Sequence, residues 1–172
     1  MNKPQVGILM GSDSDLEIMK GAAAILSDLG IENEVLILST HRAPEETAQY
    51  AKSAKSKGIK VIIAGAGGAA ALPGSIAAFT TLPVIGVPIS TKALKGVDSL
   101  FSIVSMPPGV PVATVGIDSA KNAGLLAVQI IGTSDPKVAN RFEEYKQTMK
   151  KEVLQKNTKI LSSGWKKYLR EK

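Results

Sequence analysis

Five short apolar runs recur along the chain, Val6–Met10, Val35–Leu38, Val61–Ala64, Val84–Val87 and one near Val112–Gly116, and helical patterns alternate with them. The patterns cover Leu16–Leu29, a stretch ending at Lys57, a short segment near Pro73–Thr80, Val97–Val104 and about Ala120–Ile131, and Gly30 and Gly58 close the first two. Runs of this length with no polar alternation predict strands buried on both faces. A helix between consecutive strands predicts parallel pairing, because each crossover lays a helix over the sheet. The expected fold is therefore α/β, a three-layer sandwich. With 172 residues and 44% apolar composition, the chain has enough material for one good core.

The segment Gly132-Thr133-Ser134-Asp135-Pro136 breaks the alternation, and residues 137–172 read as one or two further helices outside the sheet. The expected division is an α/β domain over 1–136 and a basic helical extension over 137–172. The net charge of +6 comes wholly from that extension: residues 1–136 hold 10 Lys+Arg against 11 Asp+Glu, residues 137–172 hold 11 against 4. Basic residues there alternate with Val153, Leu154, Ile160, Leu161, Trp165 and Leu169, as in an amphipathic helix packed on the body or on a neighbouring subunit. A nearly neutral body without basic–aromatic interleaving disfavours nucleic acid as a partner. No run is long enough to span a membrane, the first residues begin no signal-peptide pattern, and cysteine is absent, so a cytoplasmic protein without disulfides is expected.

In an open parallel sheet, ligands bind outside the carboxyl ends of the strands. Three loops leave such ends: Gly11–Asp15, Ser39–Pro44 and Gly65–Leu72. The first opens a helix, so its amides and hydroxyls suit a phosphate and a carboxylate suits sugar hydroxyls; plain helix capping is the alternative. The second holds His41, the only histidine, and histidine is the side chain whose ordinary pKa lies near neutrality. Beside it Arg42 offers a planar double donor for phosphate or carboxylate, with an ion pair to Glu45 or Glu46 as the alternative. The third resembles G-x-G-x-x-G/A. However, it follows the third strand, and no acidic residue lies between Glu46 and Asp98 to hold an adenosine ribose. There is no P-loop lysine motif, no G-x-S-x-G and no zinc-ligand spacing, and a lone histidine does not support a metal site.

Four segments together resemble the PurE family of purine biosynthesis: Gly11–Asp15, Ser39–Pro44, Ala64–Gly74 and Gly96–Leu100. Their usual counterparts read G-S-x-S-D, S-A-H-R-T-P, A-G-A-G-G-A-A-H-L-P-G and G-x-D-S-L. The resemblance implies a flavodoxin-like parallel sheet of order 2-1-3-4-5 with extra C-terminal helices, assembled as a homo-octamer. It implies conversion of N5-carboxyaminoimidazole ribonucleotide to 4-carboxy-5-aminoimidazole ribonucleotide, with the ribonucleotide and CO2 as small-molecule partners and no cofactor or metal. On that resemblance His41 is the general acid/base, while Ser12, Asp15, Ser39, Arg42, Gly67, Ala71 and Leu72 bind substrate. Four departures are expected to lie around the pocket: Ala71 in place of a second histidine, Ser75 in place of a common methionine, Ser105 in place of glutamine, and an altered loop at Asp118–Lys121. They keep three alternatives open: a sister carboxylase using CO2 directly, a paralogue acting on another ribonucleotide, and a non-catalytic nucleotide-binding protein.

Overall fold

The computed structural model describes residues 3–171 and contains five strands, β1 (Val6–Met10), β2 (Asn33–Ile37), β3 (Val61–Gly67), β4 (Val84–Ile89) and β5 (Ala113–Thr114). All neighbours pair in parallel, in the order β2-β1-β3-β4-β5. The helices are α1 (Leu16–Asp28), α2 (Pro44–Lys57), α3 (Leu72–Phe79), α4 (Val97–Val104), α5 (Ala120–Gly132), α6 (Pro136–Ser163) and α7 (Trp165–Arg170). Strand order and layering agree with the flavodoxin-like expectation.

The pleat explains the unbroken apolar runs. Val6, Ile8, Met10, Val61, Ile63, Ile85 and Val87 point to one face, under α1 and α5. Leu9, Ile62, Ala64 and Val84 point to the other, under α2, α3 and α4. Each fully buried Ile or Leu contributes on the order of 1.5–3 kcal/mol by leaving water. Gly65 in β3 is dictated by close packing, because a Cβ there would lie 2.4 Å from Met19 Sδ of α1.

The sheet departs from the expected pattern at its edges. β2 begins two residues before the expected Val35–Leu38, and its exposed Val35 and Ile37 show an edge strand only half covered. β5 forms only two of the five expected residues. Pro111 closes its start, and beyond its end Val115 still donates its N–H to the Gly86 carbonyl of β4 at 3.1 Å.

Beyond the break, Asp135 caps α6 by accepting from the N–H groups of Lys137 (3.0 Å) and Val138 (3.4 Å), and Pro136 occupies the first turn. Val138 is buried, and Phe142 and Tyr145 pack against the core beside α5. Farther along, Val153, Leu154, Leu161, Trp165 and Leu169 are exposed. No helix among the described residues is long and apolar enough to cross a membrane.

Register brings the carboxyl ends together. Met10 lies opposite both Ile37 and Gly65, Gly65 opposite Val87, and Gly67 opposite Ile89. The loops after β1, β2, β3 and β4 therefore leave from one edge of the sheet.

Candidate active site

A cleft of ≈ 490 Å³ lies at that edge. From the first two loops it is lined by Gly11, Ser12, Asp15, Ser39, Thr40, His41 and Arg42, and from the third by Ala66, Gly67, Ala69, Ala70, Ala71 and Leu72. The eight residues expected to act on or bind substrate, Ser12, Asp15, Ser39, His41, Arg42, Gly67, Ala71 and Leu72, are all in this wall. The larger groove, of ≈ 850 Å³, lies between α6 and α7, is lined by residues of the protruding tail, and contains none of them.

The first loop is a single 3-10 turn, Asp13–Asp15, running into α1. Ser12 caps it: its Oγ accepts from the Ser14 N–H at 3.3 Å. The Ser14 hydroxyl stands 3.0 Å from Ser12 Oγ and 3.3 Å from an Asp15 carboxylate oxygen, its single proton serving one at a time. Capping thus accounts for part of Ser12 but not for Asp15, which precedes α1 without a side-chain cap bond and lines the cleft. Burial pushes the Asp15 carboxyl above its ordinary value and neighbouring Asp13 adds to this, while hydrogen bonds from Ser14 and the Ser12 backbone and the charge of Arg42 pull the other way.

In the second loop the N–H groups of Arg42 and Ala43 both return to the Ser39 carbonyl, at 3.2 and 2.8 Å, so the chain makes a tight turn before α2. This turn leaves His41 exposed at the cleft mouth. Arg42 makes no ion pair among the described residues; its guanidinium reaches the Gly11 carbonyl and, through Nε, Ser39 Oγ at 3.4 Å. The expected alternative, a pair with Glu45 or Glu46, is thereby replaced by a brace between the first two loops. One cation, one carboxylate and one imidazole converge on a cleft that a small phosphorylated sugar could fill.

The third loop supplies shape. Gly68 and Ala70 take left-handed backbone, φ +64° and +36° respectively, which folds Gly67 and Ala69–Ala71 toward the cleft before α3 begins. Ala71 precedes α3 and offers the cleft only a methyl group. Of the four departures, only Ala71 lines the cleft of this chain. Ser75 lies on α3, Ser105 is exposed at the end of α4, and Asp118 accepts from the Ser90 N–H at 2.8 Å in a brace beneath the loop after β4. The expectation that all four surround the pocket is corrected: Ser75 on α3, Ser105 at the end of α4 and Asp118 in the loop before α5 are all outside the cleft wall.

Sequence reasoning passed over Gly11, Thr40, Ala66, Ala69 and Ala70. Thr40 was legible, since it stands where the compared pattern has alanine, and its buried hydroxyl has no partner among the described residues. No group of three or more His, Cys, Asp or Glu among the described residues could hold a metal. The other shifted group, Tyr50, lies away from the cleft. Burial, assisted by its hydrogen bond to Glu34 at 2.9 Å, pushes its phenol up.

Residues 5–152 match the family described as AIR carboxylase. The N5-carboxyaminoimidazole ribonucleotide mutase of Thermotoga maritima is 58% identical over 169 residues, covering 98% of this chain and 99% of that one. The phosphoribosylaminoimidazole carboxylase of Saccharomyces cerevisiae is 54% identical over 172 residues, all of this chain but only 30% of that one. Among solved structures, Treponema denticola PurE superposes with a TM-score of 0.84 at 30% identity, covering 91% of this chain and 98% of that one.

Proposed function

The chain belongs to the AIR carboxylase family, and from that membership we infer that it is an N5-carboxyaminoimidazole ribonucleotide mutase of purine biosynthesis, an isomerase. The observation that carries the reading is the end-to-end match to a mutase of its own length. The phosphoribosylaminoimidazole carboxylase name belongs to a relative of whose length this chain covers only 30%.

The cleft suits the reaction. Arg42 and the amides opening the 3-10 turn bind the phosphate, and Asp15 takes the ribose hydroxyls. The ring then lies between His41 and the glycine loop. The C–N bond of the N-carboxylate breaks, its electron pair returns to nitrogen, which takes a proton, and CO2 is freed. C4 attacks that CO2, and His41 removes the C4 proton to restore the aromatic ring. The sequence is redox-neutral and returns every atom it takes, so neither ATP nor a redox cofactor enters. Ser39, Gly67, Ala71 and Leu72 wall the space in which CO2 has to stay.

The same reading makes the protein cytoplasmic, where these dissolved metabolites are, and a homo-octamer in which the apolar side of α6 and α7 meets neighbouring subunits; Leu161, Trp165 and Leu169, each more than half exposed, support that contact. Light scattering reports the mass. One observation favours a second reading, direct carboxylation by dissolved CO2: Ala71 leaves the cleft without a second imidazole.

The deciding experiment supplies purified protein with the N-carboxylated substrate, without ATP. Conversion is expected, and His41→Asn should abolish it. Equal turnover in that variant would overturn the proton-transfer role, and turnover with the unsubstituted amine and bicarbonate alone would favour the second reading.

A further inference from the structure

The fourth motif segment, Gly96–Leu100, contributes nothing to the cleft wall. Ser99 nevertheless connects with it. This residue lies in the first turn of α4, fully buried at 0% exposure. Its hydroxyl donates to the Ile89 carbonyl at the end of β4, at 2.7 Å, and accepts from the Gly68 N–H at 2.9 Å. Between residues 66 and 72, Gly68 is the one position that does not line the cleft. Its amide is drawn outward to α4 while its neighbours on both sides face inward.

We infer that Ser99 is a positioning residue: by holding Gly68 outward it fixes the inward wall of Gly67 and Ala69–Ala71, and so sets how well CO2 is retained between its release and its capture by C4. The inference rests on the mutase reading. Glycine and left-handed backbone give this loop a wide choice of conformations, and the bond to Ser99 selects one. Removing the hydroxyl deprives the half-buried Gly68 N–H and the buried Ile89 C=O of this shared partner, which favours rearrangement of the loop toward water. CO2 that escapes leaves the decarboxylated amine ribonucleotide as product. CO2 that stays becomes the C4 carboxylate.

The test follows isotopically labelled carboxylate in N-carboxylated substrate, with unlabelled bicarbonate in the buffer, for the wild type, Ser99→Ala and Ser99→Cys. The ratio of decarboxylated amine to carboxylated product, and label lost from that product, report leakage. Ser99→Ala should lower kcat for carboxylated product about 10- to 100-fold, the effect of a small misplacement at a reacting centre. Leakage should rise with little change in KM, and Ser99→Cys, which keeps a weaker donor, should fall between. Circular dichroism counts the folded fraction; should the alanine variant not fold, the cysteine variant carries the comparison. A merely structural role would lower the amount of active protein and leave the partition ratio at the wild-type value, and that result overturns the inference while leaving the mutase reading intact. Absence of conversion in the wild type removes the reading beneath it.

Discussion

Helix α2 begins directly after His41 and Arg42, yet it starts from Ala43, which offers no side-chain acceptor to its first turn. Pro44 at the first helical position has no N–H to satisfy, so the open donors are those of Glu45 and Glu46. Ser, Thr, Asp or Asn at an N-cap is typically worth about 1 kcal/mol over alanine, in a range of about 0.5–2. Two features place Ala43→Ser toward the lower part of that range. Pro44, Glu45 and Glu46 are exposed, so water already serves the open donors. Ala43 also sits at φ −143°, ψ 60°, and its ψ must rotate before a serine hydroxyl can reach the turn. The expected gain is therefore about 0.5–1 kcal/mol. At roughly 2–4 °C per kcal/mol for a chain of this size, the melting temperature should rise by about 1–4 °C. Thermal and urea unfolding at matched protein concentration would measure it, with Ala43→Gly as the comparison that supplies no acceptor. An unchanged or lowered midpoint for the serine variant, with the urea slope unchanged, would refute the account of how α2 is initiated.

Two predictions concern the cleft. Burial holds the Asp15 carboxyl above its unfolded value of 3.8, so the native state binds that proton more tightly than the unfolded chain. Stability should thus fall as pH rises from below 3.8 through the raised native value, and the loss persists at neutrality. Asp15→Asn should flatten that part of the stability–pH curve and stabilise the protein at pH 7, while raising KM. A curve parallel to the wild type would contradict the electrostatic argument. In Ala71→His, assayed with both the N-carboxylated substrate and the unsubstituted amine, a large gain in mutase turnover is expected, because the other residues proposed for the reaction already line the cleft. A fall in mutase turnover, or a gain only with bicarbonate, would show a cleft adapted to its alanine.

The three loops of the cleft and His41 were legible because three sequence-local facts converge: where strands end, which loops carry glycine or polar groups, and which side chain titrates near neutrality. The individual residues Ser12, Asp15, Ser39, Arg42, Gly67, Ala71 and Leu72 followed from the family resemblance, and all of them line the cleft with His41. Ser75 directly follows the third motif segment and yet lies outside the cleft wall, as do Ser105 and Asp118, the last held by the Ser90 N–H, so proximity along the chain misled there.

The apolar rhythm and glycine punctuation determined by themselves a parallel α/β sheet and the end at which chemistry belongs, because both depend on strand period and on the geometry of crossovers. Only the tertiary structure decided how far each strand is covered. Val35 and Ile37 read as core, yet they lie on an edge strand with one neighbour. Only the tertiary structure, likewise, joined Ser99 to Gly68, 31 positions away, since a hydrogen bond between two loops leaves no period in the sequence.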